Sequence, residues 1–279
     1  MAELDQVLAF FPESLGIQKG IMELGRLYPE ARDRAAFEDK WPRFLSSDPL
    51  LREVVWRTGT DRLCFLTESL LPAATDDRPP ALLVVGNPAP HSVLNRLPFS
   101  FEANHREHRF WSALGEAGFL NFGANQIGTM SERNQERKEA MYALRYRSPF
   151  RLGIAVYFSM PSPAVAPPWA GVAGIRKLFG GMALRIIAHA EEERLAQVIR
   201  EFNAGTGAVI AFQKDAYDGI RSPADAPYSV RTALHSILEG TCKFDARIPL
   251  VCAPPTRLMR SVAARATLAR IKARLIQAF

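Results

Sequence analysis

The sequence predicts an α/β protein in which a central four-stranded parallel sheet lies between two layers of helices. Four short apolar runs occur at residues 81–85, 151–158, 208–212 and 248–252. Stretches long enough for helices separate these runs, and each run ends in a polar turn. Short apolar runs bounded by Gly, Pro or charged residues are typical of strands buried on both faces. Strands that alternate with helices form parallel sheets with right-handed crossovers, which predicts a three-layer αβα architecture.

Composition is that of a globular protein. The chain has 279 residues, 48% of them hydrophobic, which is ample to bury a core, and we expect a single domain over residues 1–279. No apolar stretch approaches the roughly 20 residues of a membrane span, so we expect no membrane association. The first residues include acids and no basic segment, unlike a signal peptide. Three scattered cysteines suit a reducing compartment, which predicts a cytoplasmic protein.

Residues 1–75 are predicted to form a helical layer, and residues 80–279 the α/β core. Within residues 1–75, apolar residues recur at three- and four-residue steps, the period of a helix with one buried face. These residues are Ile21, Leu24, Leu27 and Tyr28, followed by Phe37, Trp41, Phe44 and Leu45. We find no candidate chemistry in this region, and we expect it to pack on the sheet.

The core is predicted to follow in the order strand, helices, strand, helix, strand, strand, helix. Helices are expected near residues 110–119, 131–145 and 191–203 and in the C-terminal segment. The carboxyl ends of parallel strands lie at one edge of a sheet, where open α/β sheets bind ligands. The sequence therefore predicts that the polar turns after the four strands line one crevice. Those turns begin at Gly86, Ser159, Gln213 and Ala253.

The first strand and the residues after it carry the most specific pattern. The strand ends in Val85-Gly86-Asn87-Pro88-Ala89, followed by Leu97-Pro98-Phe99-Ser100-Phe101 and then His108-Arg109-Phe110-Trp111. This order resembles the first motif of the uracil-DNA glycosylase superfamily, in which a Gly-x-Asn-Pro-Gly turn precedes a Phe-Pro-Phe element and Asn-Arg-Phe-Trp. Gln213-Lys214-Asp215-Ala216 likewise resembles the superfamily's Gly-Lys-x-Ala after a later strand.

The resemblance implies a uracil-DNA glycosylase-like fold and an enzyme that removes uracil from single- and double-stranded DNA, leaving an abasic site. It implies no metal or cofactor, and a monomer that works on nucleoid DNA. Asn87 fits the family position that places the attacking water, because an amide orients water but is too weak a base to deprotonate it. Phe99 fits the position on which the flipped base stacks. An ordinary turn-forming Asn and an ordinary core Phe are the structural alternatives, and Phe101 replaces Phe99 if the register differs by two residues.

Two positions depart from the family pattern. Many members carry a His after the last strand, whereas this chain has Ala253. We therefore consider His91, in the first turn, and Arg257, after the fourth strand, as partners for the charge that develops on the departing base. The usual base-reading amide near the end of the second strand is also missing. Gly86, Ser159 and Asn125 are the candidates for contact with the base in addition to Phe99.

The net charge of +6 is concentrated in residues 257–279, which contain six basic and no acidic residues. A basic segment that begins beside a candidate site is consistent with phosphate binding, and a solvated helix face is the alternative. We assign Arg257 and Arg260 to DNA phosphates. Leu258 and Met259 could fill the gap left by a flipped base, or they could be buried positions of the last helix.

Two other classes of function remain open from the sequence. The missing His and amide favour a degenerate relative that binds DNA or a nucleotide without excision. An unrelated α/β hydrolase or nucleotide-binding protein is the third hypothesis, although the chain lacks a phosphate-binding P-loop and a nucleophile elbow. His105 and His108 do not have the spacing of a metal site, and we predict none.

Overall fold

A computed structural model describes residues 7–102, 105–123 and 128–279. It shows a mixed α/β protein whose chain divides into two compact units. The first unit contains Met1–Ser69, Gly86–Pro98 and Val156–Arg194. The second contains Leu70–Val85, Phe99–Ala155 and Leu195–Phe279. The expectation of one domain over the whole chain stays a prediction.

The helices and strands have the following bounds. The strands are β1 Leu8–Ser14, β2 Ile17–Glu23, β3 Val55–Thr58, β4 Arg62–Glu68, β5 Pro80–Val85, β6 Arg151–Val156, β7 Ala208–Ala211, β8 Leu238–Thr241 and β9 Pro249–Cys252. The helices are α1 Leu24–Leu27, α2 Ala31–Leu45, α3 Leu51–Val54, α4 Pro90–Asn95, α5 Arg109–Glu116, α6 Met130–Tyr142, α7 Gly171–Phe179, α8 Gly181–Asn203, α9 Lys214–Ile220, α10 Val230–His235 and α11 Val262–Ala278.

The five-stranded sheet has the order β6-β5-β7-β9-β8 and is flanked by helices. The pairs β5–β7 and β7–β9 are parallel. The amides of Arg151 and Phe158 donate to the carbonyls of Pro79 and Gly86, a constant offset that makes β6 parallel to β5. All four predicted strands are therefore confirmed as a parallel set. Every residue of β5, β6 and β7 is buried, which explains why they appear in sequence as unbroken apolar runs.

The fifth strand, β8, was not predicted. It pairs antiparallel with β9 at the edge of the sheet, with Leu238 opposite Cys252. Its sequence is Leu-Glu-Gly-Thr, and only Leu238 is buried. An edge strand of this kind has no apolar run from which it could be recognised.

The prediction of a helical layer over residues 1–75 is wrong for much of this region. Among its described residues only α2 is a long helix, and the helical period of Phe37, Trp41 and Phe44 is confirmed there. Strands β1, β2, β3 and β4 form an antiparallel sheet of order β1-β2-β4-β3. Gly20 of β2 lies opposite Phe65 of β4, and a Cβ on Gly20 would lie 2.3 Å from the Phe65 ring. Close packing of this sheet, rather than local periodicity, determines the structure of β2.

The three cysteines are buried free thiols. Over the part of the chain that the structure describes, no helix is both long enough and apolar enough to cross a membrane.

Candidate functional site

Asn87, the proposed water-positioning residue, lies in the first unit, two residues beyond the end of β5. Its Nδ2 donates to Ser162 Oγ over 2.7 Å and to the backbone oxygens of Pro88 and Met160 over 3.3 and 3.5 Å. These acceptors fix which end of the amide is the donor. The oxygen Oδ1 accepts no hydrogen bond from any described residue, so it remains available to an outside donor.

The turn after β6 holds the Asn87 side chain in place. Ser162 is 1% exposed, its amide donates to the Pro88 carbonyl, and its hydroxyl donates to the Gly171 carbonyl over 3.0 Å. Gly171 has a φ of +60°, and a Cβ there would lie 3.9 Å from Asn87 Oδ1. The left-handed backbone favours glycine, and the absence of a side chain leaves space beside this oxygen.

The other first-turn candidates also lie in the first unit. The Gly86 carbonyl accepts from the Phe158 amide, so its backbone continues the pairing with the β6 segment. His91 is the second residue of α4, and it is half-buried. Its carbonyl accepts a bond from Asn95 Nδ2 over 2.6 Å.

Ser159, a predicted base contact, is fully buried and bonded to Glu191. Both its amide, over 2.6 Å, and its hydroxyl donate to Glu191 Oε1. Arg194 Nε donates to the other carboxylate oxygen over 2.7 Å and bonds the Val156 carbonyl, which completes the environment of this buried acid. The Ser159 hydroxyl is thus engaged in a structural network that fixes the turn after β6.

Phe99, the proposed stacking residue, lies in the second unit with a left-handed backbone, φ +56°. Its half-buried ring lies against His108 and Phe110, with centroid separations of 4.7 and 4.4 Å. The Trp111 indole donates to the Phe99 carbonyl over 3.1 Å, which holds the strained backbone in place. A bulky residue at positive φ is a genuine outlier, and such outliers cluster at functional sites. The alternative residue, Phe101, packs on the exposed His105.

The loop after Phe99 is fixed by Glu102. Its Oε1 accepts from the backbone amide of Arg109 over 3.0 Å and from the Arg109 guanidinium over 2.5 Å, and its other oxygen pairs with Arg260. Burial acts to raise the pKa of Glu102, but the bonds from Arg109 outweigh this and lower it below its usual value. Arg260, assigned from sequence to a DNA phosphate, is therefore already paired with a carboxylate.

The candidate residues in the turn after β9 differ in their exposure to solvent. Ala253 is fully buried, and its amide donates to the Ala211 carbonyl, so nothing in its side chain can replace the missing His. Arg257 is exposed in a 3₁₀ turn over Thr256–Leu258, and its carbonyl accepts from Arg109. Leu258 is half-buried, whereas Met259 is 1% exposed and belongs to the core. Of this pair, only Leu258 has surface available for a contact.

The basic residues of the last segment are mostly paired. Arg260, Arg265 and Arg274 pair with Glu102, Glu116 and Glu239, and Arg270 donates to the His235 carbonyl. Glutamates distant in sequence therefore compensate half of the local charge excess. Arg257, Arg270 and Lys272 have no ion-pair partner among the described residues, and of these three only Arg257 lies in the turn after β9.

Asn125, the remaining base-contact candidate, lies outside the described residues. Sequence reasoning did not identify two features of the candidate regions. Ser162 does not stand out in the sequence, although its hydroxyl is the nearest partner of Asn87. Glu191 was assigned only to an amphipathic helix, since a long-range contact with Ser159 leaves no local pattern.

Among the described residues there is no group of three or more side chains suited to hold a metal ion. Comparison of the chain with protein-family models gives no match, and comparison with curated proteins gives none either.

Proposed function

We propose that this chain is a divergent member of the uracil-DNA glycosylase superfamily. In this proposal it flips uracil out of single- or double-stranded DNA and hydrolyses the N-glycosidic bond, leaving an abasic site. No metal or cofactor takes part, and the enzyme acts as a monomer on nucleoid DNA in the cytoplasm. The parallel order of β6, β5, β7 and β9 supports the proposed fold, because the motif residues follow strand ends, where open α/β sheets bind ligands.

The orientation of the Asn87 amide is the observation that carries this proposal. Its donor end is held by Ser162 and two carbonyls, which leaves Oδ1 to accept a hydrogen bond from the attacking water. Glycosidic bond cleavage passes through an oxocarbenium-like transition state, so a positioned water needs little activation by a strong base. Holding the water in the orientation for attack can by itself supply a large part of the rate enhancement.

The other proposed roles belong to residues that lie in the turns after the strands. Phe99 offers a ring on which the flipped base stacks, an interaction worth about 1–3 kcal/mol per base. Its strained backbone, held by Trp111, is the feature that favours a functional role over ordinary packing. His91 and Arg257 are the candidates to stabilise negative charge on the departing base, and Arg257 is also the candidate for a phosphate contact.

The test of this proposal compares Asn87→Ala with Asn95→Ala. Asn95 also donates through Nδ2, to the His91 carbonyl, and lies in the same unit. We expect Asn87→Ala to lower the single-turnover rate of uracil excision by about 10²–10⁴-fold, and Asn95→Ala to change it little. Near-wild-type activity of Asn87→Ala would remove Asn87 from the mechanism.

A DNA- or nucleotide-binding protein without excision activity is the second candidate function. The apolar Ala253 and the bonding of Ser159 to Glu191 favour it, because neither side chain has a polar group free to contact a base. Salt-sensitive binding of uracil-containing DNA that never yields an abasic site would support this function over the first.

A further inference from the structure

Gln213 carries a buried hydrogen-bond donor that the fold itself does not use. It follows β7 by two residues and is the N-cap of α9. Its Nε2 is buried and has no hydrogen-bond partner in the part of the chain that the structure describes. Nearly all buried polar groups in folded proteins are bonded, and an unpaired buried donor is costly. Such a group suggests an acceptor supplied from outside the chain.

The position of Gln213 is the one at which sheets of this order bind ligands. In the order β6-β5-β7-β9, the next strand in sequence after β5, which is β6, lies on one side of β5, whereas β7 and β9 lie on the other side. The switch point of the sheet is therefore between β5 and β7. The Phe212 amide donates to the Val84 carbonyl over 2.9 Å, which extends the β5–β7 pairing up to Gln213. Gln213 therefore lies just beyond the carboxyl end of β7, beside the switch point of the sheet. Open α/β folds bind their ligands at this point.

Ring contacts connect Phe212, the residue before Gln213, with the proposed stacking residue Phe99. Phe212, which directly precedes it, packs edge-on against Phe110 at 5.4 Å between centroids. Phe110 in turn lies 4.4 Å from the Phe99 ring. Phe110 and Phe212 are buried, and Phe99 is half-buried. A row of aromatic contacts within the second unit thus joins the Phe99 ring to Phe212, the residue before Gln213.

We propose that Gln213 determines base specificity by donating from Nε2 to the keto oxygen at C4 of a flipped pyrimidine base. The inference rests on the proposed function and names its substrate class as keto bases, such as uracil. Cytosine and adenine present an exocyclic amino donor at the corresponding edge. Two donors that face each other leave both unpaired in a buried site, and sites of this type discriminate strongly. Gln213 thus takes the place of the amide that the sequence lacks after β6.

The first test measures excision with Gln213→Glu and Gln213→Leu. The glutamate keeps the shape but replaces the donor with an acceptor, and the leucine removes both. We expect kcat/KM on uracil-containing DNA to fall roughly 10- to 100-fold for each variant, with a smaller preference over cytosine. Gln197→Leu is the control, because Gln197 is exposed and bonds only Glu201 among the described residues. If wild-type protein excises uracil and both Gln213 variants keep its rate and selectivity, the inference is overturned while the proposed function stands.

The second test does not require catalysis. Free uracil or cytosine is titrated into ¹⁵N-labelled protein, and the Gln213 side-chain amide resonances are assigned by their loss in Gln213→Leu. We expect these resonances to shift with uracil and not with cytosine. A shift with uracil in a protein that cleaves no DNA would uphold the inference and refute excision. Absence of a shift with either base would overturn the inference, whatever the excision assay shows.

Discussion

At the residue scale, the side chains with unusual environments are not the ones that composition would emphasise. Asn87 is oriented by Ser162, Phe99 is held at positive φ by Trp111, and Gln213 has an unpaired buried amide. The positive φ of Phe99 and the unpaired amide of Gln213 each have a cost that folding alone does not explain. The histidines and the basic residues of the last segment are by contrast in ordinary environments, mostly exposed or paired with acids.

Glu68 at the end of β4 gives a prediction about stability. It is 3% exposed, its Oε2 has no hydrogen-bond partner among the described residues, and burial raises its pKa well above the ordinary value of 4.5. A carboxyl whose pKa is raised by folding stabilises the fold only in its protonated form. The contribution is fully present below the unfolded pKa, and it is lost as the pH rises toward the folded pKa.

Glu68→Gln should therefore become more stable than wild type as the pH rises above about 4.5, by up to about 1.4 kcal/mol per pH unit. Denaturant unfolding of both proteins at a series of pH values measures this difference. Glu13→Gln, at an exposed position of β1, is the control. A stability difference between Glu68→Gln and wild type that does not vary with pH would show that Glu68 is not buried as described.

At the element scale, the close approach of α7 to the preceding turn depends on Gly174. A Cβ at this position would lie 1.8 Å from the Trp169 carbonyl oxygen, which no side-chain movement can relieve. Gly181, at the start of α8, has no such neighbour within 4 Å. We expect Gly174→Ala to destabilise the protein by about 1–3 kcal/mol and Gly181→Ala to be neutral or slightly stabilising. Thermal unfolding of the two variants compares them, and equal midpoints would contradict this packing.

The turn before α11 gives a prediction about DNA. Arg257 has no described ion-pair partner, whereas Arg274 of α11 pairs with Glu239 over 3.0 Å. If Arg257 contacts a phosphate, Arg257→Ala should reduce the slope of log affinity against log salt by about 0.9. Arg274→Ala, which removes the same charge from a paired site, should change the slope less. Fluorescence anisotropy at several salt concentrations measures both, and an unchanged slope for Arg257→Ala would remove it from the interface.

At the scale of the whole molecule, the parallel sheet could be predicted because its strands are buried on both faces. The runs at Ala81 and Ala208 show this directly in sequence. The antiparallel sheet of the first unit could not be predicted in the same way. Ile21 and Leu24 are three residues apart, which imitates a helical period, although Ile21 lies in β2 and Leu24 in the short α1. Gly20 is explained only by the Phe65 ring across the strand pair.

The candidate site residues likewise divide into those that a local motif indicates and those that depend on long-range packing. Asn87 and Phe99 lie in recognisable local motifs, and the structure gives both a distinctive environment. The unpaired amide of Gln213 and the burial of Ser159 against Glu191 depend on long-range packing, so no spacing in the sequence indicates them. The pairing of Arg260 with Glu102, 158 residues apart, changes the interpretation of the basic segment for the same reason.

Uracil excision by the wild-type chain is the most direct test of the proposed glycosylase activity. Single-stranded and paired oligonucleotides that contain one uracil are incubated with the protein in the presence of a chelator, and hot alkali then reveals abasic sites. We expect alkali-dependent cleavage at the uracil in both substrates, with an undiminished rate under chelation. Uracil strands that remain intact at protein concentrations sufficient to bind them would contradict it.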